Sequence, residues 1–268
     1  MKMIQKVGAM ALVAALFLAS CAGGSNESAE QDTTTMVKAQ KYSVEYPLPT
    51  PFEITRMLDE AGASYIFDMS NSSENVGKYL TEKEQAVNLG IYGADLSYAA
   101  TYNRTQETQI FMNCSRQLTE SLGIAGVFEE SIIKRIESNI ENKDSLHLII
   151  SDTFYGTFDY LNNNSKGAIS VMVLAGGYIE GIYIATQIYL IAGDTKNIID
   201  GISAQKAVTE QLLSLMQTYS DNSSVAELIA ELTKIKVVFD KTAGNAQLND
   251  AQVKELAKVV ESVRSKLI

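Results

Sequence analysis

Apolar residues recur at spacings of three and four along most of this chain, the period of helices that each bury one face. Ile110, Phe111, Cys114, Leu118 and Leu122 mark one such stripe; Phe128, Ile132, Ile133, Ile136 and Ile140 mark the next. Leu146, Ile149, Ile150, Phe154 and Leu161 follow, then Val225, Leu228, Ile229, Leu232 and Ile235, and last Val253, Leu256, Val260, Val263 and Leu267. The pattern predicts helices from Pro51 to about Ala61, from Thr81 to about Tyr102 and from Thr105 to Leu122, then two on the stripes at 128–140 and 146–161. Further helices are expected at about 167–192, 194–219, 224–241 and 250–267. Strand-like alternation is scarce, and Ser64–Met69 (SYIFDM) is its best candidate.

One stretch departs from the one-face rule. LAGGYIEGIYIATQIY, from Leu174 to Tyr189, is apolar on every side and carries a single carboxylate, Glu180. A helix of that kind lies in lipid or in the middle of a protein core. The surrounding 25 residues meet the length for a bilayer span, but an acid near the centre is costly there, and only Lys166 and Lys196 flank it. The reading is a buried core helix. Gly177, Gly181 and Ala185 put small residues on one face, where another helix can approach closely.

Punctuation supports long helices. All three prolines fall in Pro47-Leu48-Pro49-Thr50-Pro51, and none occurs in the 216 residues after Phe52. Thr50 with Glu53, and Thr81 with Glu84, have the spacing of capping boxes; Gly62 and Gly123 mark stops, and Asn249 and Asp250 supply cap chemistry for the last helix.

Leu89, Asp95, Tyr98, Ala100 and Thr101 have counterparts 85 positions later in Leu174, Glu180, Tyr183, Ala185 and Thr186. Three helices are expected after each copy. The chain therefore reads as an all-α multi-helix bundle over 46–268, with two similar four-helix halves, 81–161 and 167–268, packed through glycine-rich central helices.

The start of the chain has a different character. Lys2 and Lys6 precede an apolar run from Val7 to Leu18, as in a secretory signal over residues 1–20. Leu18-Ala19-Ser20-Cys21 resembles the bacterial lipobox, which implies cleavage before Cys21 and lipid on its sulfur. From Ala22 to about Gln40 the chain is small and polar, the composition of a disordered linker, and a flexible tether is expected over 21–45. Losing two signal lysines takes the formal charge from -10 to -12. So acidic a chain argues against nucleic-acid partners and against binding anionic lipid by charge, leaving the N-terminal lipid as its hold on a membrane.

Candidate chemistry is sparse. Lipidation of Cys21 leaves Cys114 alone, at core spacing with Phe111 and Leu118, as a buried thiol. One histidine, His147, and no cysteine cluster leave no ligand set for zinc or haem, so no metal and no cofactor are expected. No nucleophile motif is recognisable, and no catalytic residue is assigned. The one candidate ligand site is Asp95 facing Glu180 between the central helices, with Tyr98 and Tyr183 among the tyrosines around them. Such a pair supports general acid–base work or cation binding, or sits hydrogen-bonded in a helix crossing with tyrosine hydroxyls as its nearest donors.

YPLPTPFEITRMLDEAGASYIFD, LGIYGADLSYAATYN and LAGGYIEGIYIATQIY, behind a lipobox and tether, resemble a family of Bacteroidetes lipoproteins without assigned activity. The resemblance implies a lipid-anchored protein of the cell envelope, at the outer membrane, and supplies no catalytic residues. The expected function is a non-enzymatic binding or scaffolding module; the alternative is an enzyme or small-ligand binder using Asp95 and Glu180.

Overall fold

The computed structural model describes residues 48–192, 196–242 and 246–268. The proposed signal, Cys21, the tether and Pro47 lie outside the described residues. The described chain is all-helical, with no strand. Its α-helices are α1 (Pro51–Glu60), α2 (Glu82–Thr101), α3 (Thr105–Ser121), α4 (Glu130–Ser138), α5 (Lys143–Asn163), α6 (Gly167–Ala192), α7 (Lys196–Gln217), α8 (Ser223–Phe239) and α9 (Asp250–Arg264), with short 3-10 turns at Ser73–Lys78 and Ala125–Phe128.

Two helices form the centre. Every residue of α2 from Ala86 to Thr101 is buried, and α6 is buried almost throughout its length. Their mutual packing is the most extensive in the molecule, and α1, α3, α5, α7, α8 and α9 pack around them. Helix α6 is long and apolar enough to cross a membrane, but in this structure protein covers it on all sides, as its unbroken apolar surface requires.

Close approach at this crossing depends on two glycines. A Cβ built on Gly90 would stand 2.0 Å from the Val173 carbonyl oxygen, and one built on Gly176 would stand 1.9 Å from the Val87 carbonyl oxygen. The arrangement is reciprocal: each central helix seats a glycine on a valine carbonyl of the other. The small face proposed from sequence meets a different neighbour, since Gly177 lies against Pro51 and Gly181 against Ile54, both of α1.

Local signals set most boundaries. Thr81 and Glu84 form a complete capping box, as do Asn249 and Gln252. Gly62 and Gly123 take left-handed backbone angles of 80° and 65° just past α1 and α3, the conformation glycine adopts without steric penalty. Thr50 does not form the expected box. Its hydroxyl donates to the Glu53 carboxylate instead of accepting from a backbone amide, and it lies 3.5 Å from the Ser151 hydroxyl. The strand candidate Ser64–Met69 is irregular backbone, because no second strand exists among the described residues for it to pair with. Ile110 is 43 % exposed, outside the stripe that buries Phe111, Cys114 and Leu118. His147 stacks on Phe52, with ring centroids 4.1 Å apart and planes at 14°.

Candidate functional site

The candidate residues lie on the two central helices, and both acids are fully buried. Glu180 reaches across to α9. Arg264 Nε donates to Glu180 Oε2 at 2.5 Å and Arg264 Nη2 to Glu180 Oε1 at 2.8 Å, a bidentate fork. The same Nη2 also bonds the Met69 carbonyl at 3.2 Å. The guanidinium lies 4.1 Å over the Tyr183 ring, so Tyr183 contributes its face to the cation rather than its hydroxyl to the acid. Burial alone would lower the Arg264 pKa; charge and hydrogen bonding from Glu180 outweigh it and raise the value.

Asp95 is held differently. Its Oδ2 accepts from the Asn71 amide at 3.1 Å, while its Oδ1 makes no hydrogen bond. The Ser70 hydroxyl, also buried, is close enough to influence the carboxyl but completes no bond of its own. Burial first, and the Glu180 charge second, push the Asp95 pKa well above the usual carboxylate range; Arg264, the Asn71 amide and Ser70 oppose them without prevailing. One guanidinium serves two acids, and its fork belongs to Glu180. Asp95 is therefore the carboxyl without a counter-charge of its own.

Above this cluster runs a strap, residues 61–81, joining α1 to α2. The Ile66 amide donates to Tyr98 Oη at 2.8 Å, and Tyr92 Oη donates to the Ser72 carbonyl at 2.7 Å. Asn71 Nδ2 donates to Tyr79 Oη at 2.8 Å and to Asn88 Oδ1 at 3.2 Å. The tyrosines thus hold the strap's backbone and side chains, not the acids. Tyr98 also stacks on Tyr65, with centroids 4.6 Å apart.

The structure places all four sequence-predicted residues, Asp95, Glu180, Tyr98 and Tyr183, in one buried region, and adds Arg264 as the partner that sequence reading did not supply. Leu256, Val260 and Arg264 are spaced by four on α9, a spacing that puts the arginine beside buried positions. Cavities lie elsewhere. A pocket of about 30 Å³ is lined by Leu89, Gly93, Ser115 and Phe154 among others. Larger grooves of about 430 and 520 Å³ lie between α4 and α5 and beside the start of α2. Neither acid lines any of these. Among the described residues no group of three or more His, Cys, Asp or Glu side chains is arranged to hold a metal ion.

Comparison with known proteins adds no family: no family model, no curated protein and no solved structure matches this chain.

Proposed function

We propose that this chain is a lipid-anchored protein of the bacterial cell envelope, held at the outer membrane through Cys21, whose helical body is a non-enzymatic binding or scaffolding module. Its kinship would be with the Bacteroidetes lipoproteins that its motifs resemble. The observation that carries the non-enzymatic reading is the closure of its best catalytic candidates: Asp95 and Glu180 are both fully buried, and Glu180 is committed to Arg264 through two hydrogen bonds. A general acid or base must come within hydrogen-bond reach of its substrate, and these carboxyls are spent on the helix crossing and the strap. The lipobox-like Leu18-Ala19-Ser20-Cys21 and the polar segment behind it support the anchor.

The test is fractionation followed by capture. The tagged wild-type protein, expressed in a Bacteroidetes host, is expected in the detergent-soluble membrane fraction and Cys21→Ala in the aqueous fraction. Crosslinked envelope preparations should yield a stoichiometric partner. Tight membrane association of Cys21→Ala would overturn the anchor. Small-molecule turnover by the purified body that Glu180→Gln abolishes, with folding intact, would overturn the non-enzymatic reading.

A further inference from the structure

The strap and the buried acids are mechanically linked. Between Ile66 and Ser72 the backbone is bonded four times to side chains of the central bundle: Ile66 to Tyr98, Met69 to Arg264, Asn71 to Asp95 and Ser72 to Tyr92. Two of those anchors, Arg264 and Asp95, belong to the buried charge cluster. Whatever changes the charge of that cluster acts directly on the strap.

Asp95 is the member able to change. The ionisable groups near it are Tyr92 and Tyr98 on its own helix, Tyr65 and Tyr79 on the strap, Cys114 on α3, Glu180 and Tyr183 on α6, and Arg264 on α9. Burial raises the pKa of every one of those tyrosines and of the thiol, so they stay neutral near pH 7. Only Glu180 and Arg264 are charged, and they are paired with each other. A second negative charge at Asp95 would have no counter-charge of its own, in a region where water cannot compensate it. Asp95 Oδ1 and Ser70 Oγ are both buried without partners, so neither offsets the cost of a charge there.

We propose that the strap from Ile66 to Ser72 is a proton-controlled clasp, closed over the core while Asp95 is neutral and released when Asp95 ionises. Opening brings the carboxyl into water, where it regains an ordinary pKa. Open and closed forms then bind the proton with different affinity. Between the ordinary carboxylate pKa and the higher closed-state pKa, the opening equilibrium rises about tenfold per pH unit, and above the closed-state pKa it levels off. The released segment would present Phe67, already 59 % exposed.

Amide hydrogen exchange, followed residue by residue in the whole folded body between pH 5 and 8 and corrected for intrinsic exchange chemistry, tests this. Protection of the Ile66 and Asn71 amides should fall together by about tenfold per pH unit over part of that range, while Val260 on α9 stays flat. Asp95→Asn, which keeps an acceptor for the Asn71 amide and a donor toward Ser70, should abolish the slope. A flat wild-type profile, the same slope in Asp95→Asn, or an equal slope at Val260 overturns the clasp. Should Asp95→Asn not fold, the carboxyl ¹³C shift of Asp95 in the unaltered protein decides: a titration midpoint well above the usual carboxylate range supports the proposal, and one within it overturns it.

Discussion

Glu180 and Arg264, 84 residues apart in sequence, meet in the core as a bidentate ion pair with Glu180 fully buried and the Arg264 side chain 9 % exposed. The pair ties α6, the most apolar helix of the chain, to α9, and through Met69 it ties both to the strap. Buried ion pairs stabilise little relative to a well-packed apolar substitute, because desolvation offsets most of their attraction. Their removal by halves is another matter, since one charge is then left buried and alone.

The reciprocal glycine seats set the spacing of the two central helices. Gly90→Ala and Gly176→Ala each force a methyl group into a valine carbonyl, and each should destabilise the protein by about 1–3 kcal/mol, as overpacking of a dense core does. Gly77 has no atom within 4 Å of its would-be Cβ and no left-handed backbone angle. Gly77→Ala should be close to neutral. Urea denaturation of the three variants checks the contrast.

His147 stacks on Phe52, and burial lowers its pKa below the usual imidazole value, with Glu53 opposing. The folded form therefore binds this proton less readily than the unfolded chain does. Stability from this group is present in full above the ordinary imidazole pKa of 6.5 and is lost as pH falls through that value toward the lower folded one. His147→Phe keeps a stacking ring without the proton, so the stability of wild type relative to the variant should be constant above pH 7 and should fall, in the variant's favour, toward pH 5. Thermal unfolding of both proteins across that range measures it.

Cys114 is 5 % exposed, and burial pushes its thiol up to about 11. Thiolate is the reactive form. In a folded body lacking Cys21, an aromatic disulfide reagent at pH 8 should label Cys114 only at the rate of unfolding, with full labelling after denaturant is added. Rapid labelling of the folded protein would contradict the burial.

The architecture was legible because it is written locally. Helix α6 was located by its long apolar run, and Thr81 with Glu84, Gly62 and Gly123 marked ends whose chemistry involves only neighbours in sequence. What failed depended on distant partners. Thr50 has capping spacing with Glu53, but it is fully buried and its hydroxyl turns to the carboxylate and toward Ser151 on α5. Ser64–Met69 has strand-like residues, but its backbone bonds to the Tyr98 hydroxyl and the Arg264 guanidinium instead of to a second strand. Asp95, Glu180, Tyr98 and Tyr183 lie in one buried region. Tyrosine hydroxyls were the nearest expected donors to Glu180, and the donor is an arginine from α9. No local feature of α6 announces Arg264; only its spacing of four from Leu256 and Val260 did.

The central claim is that Glu180 and Arg264 act as a clamp between α6, α9 and the strap, and a double-mutant cycle on the two residues tests it most directly by urea denaturation. Arg264→Met and Glu180→Met should each destabilise by about 3–5 kcal/mol, and the double substitution should recover most of that loss. A structural clamp behaves this way because only the unpaired charge is intolerable. If instead Glu180→Met alone stabilised the protein, as removal of a charge held for function at the expense of stability commonly does, the account would be contradicted.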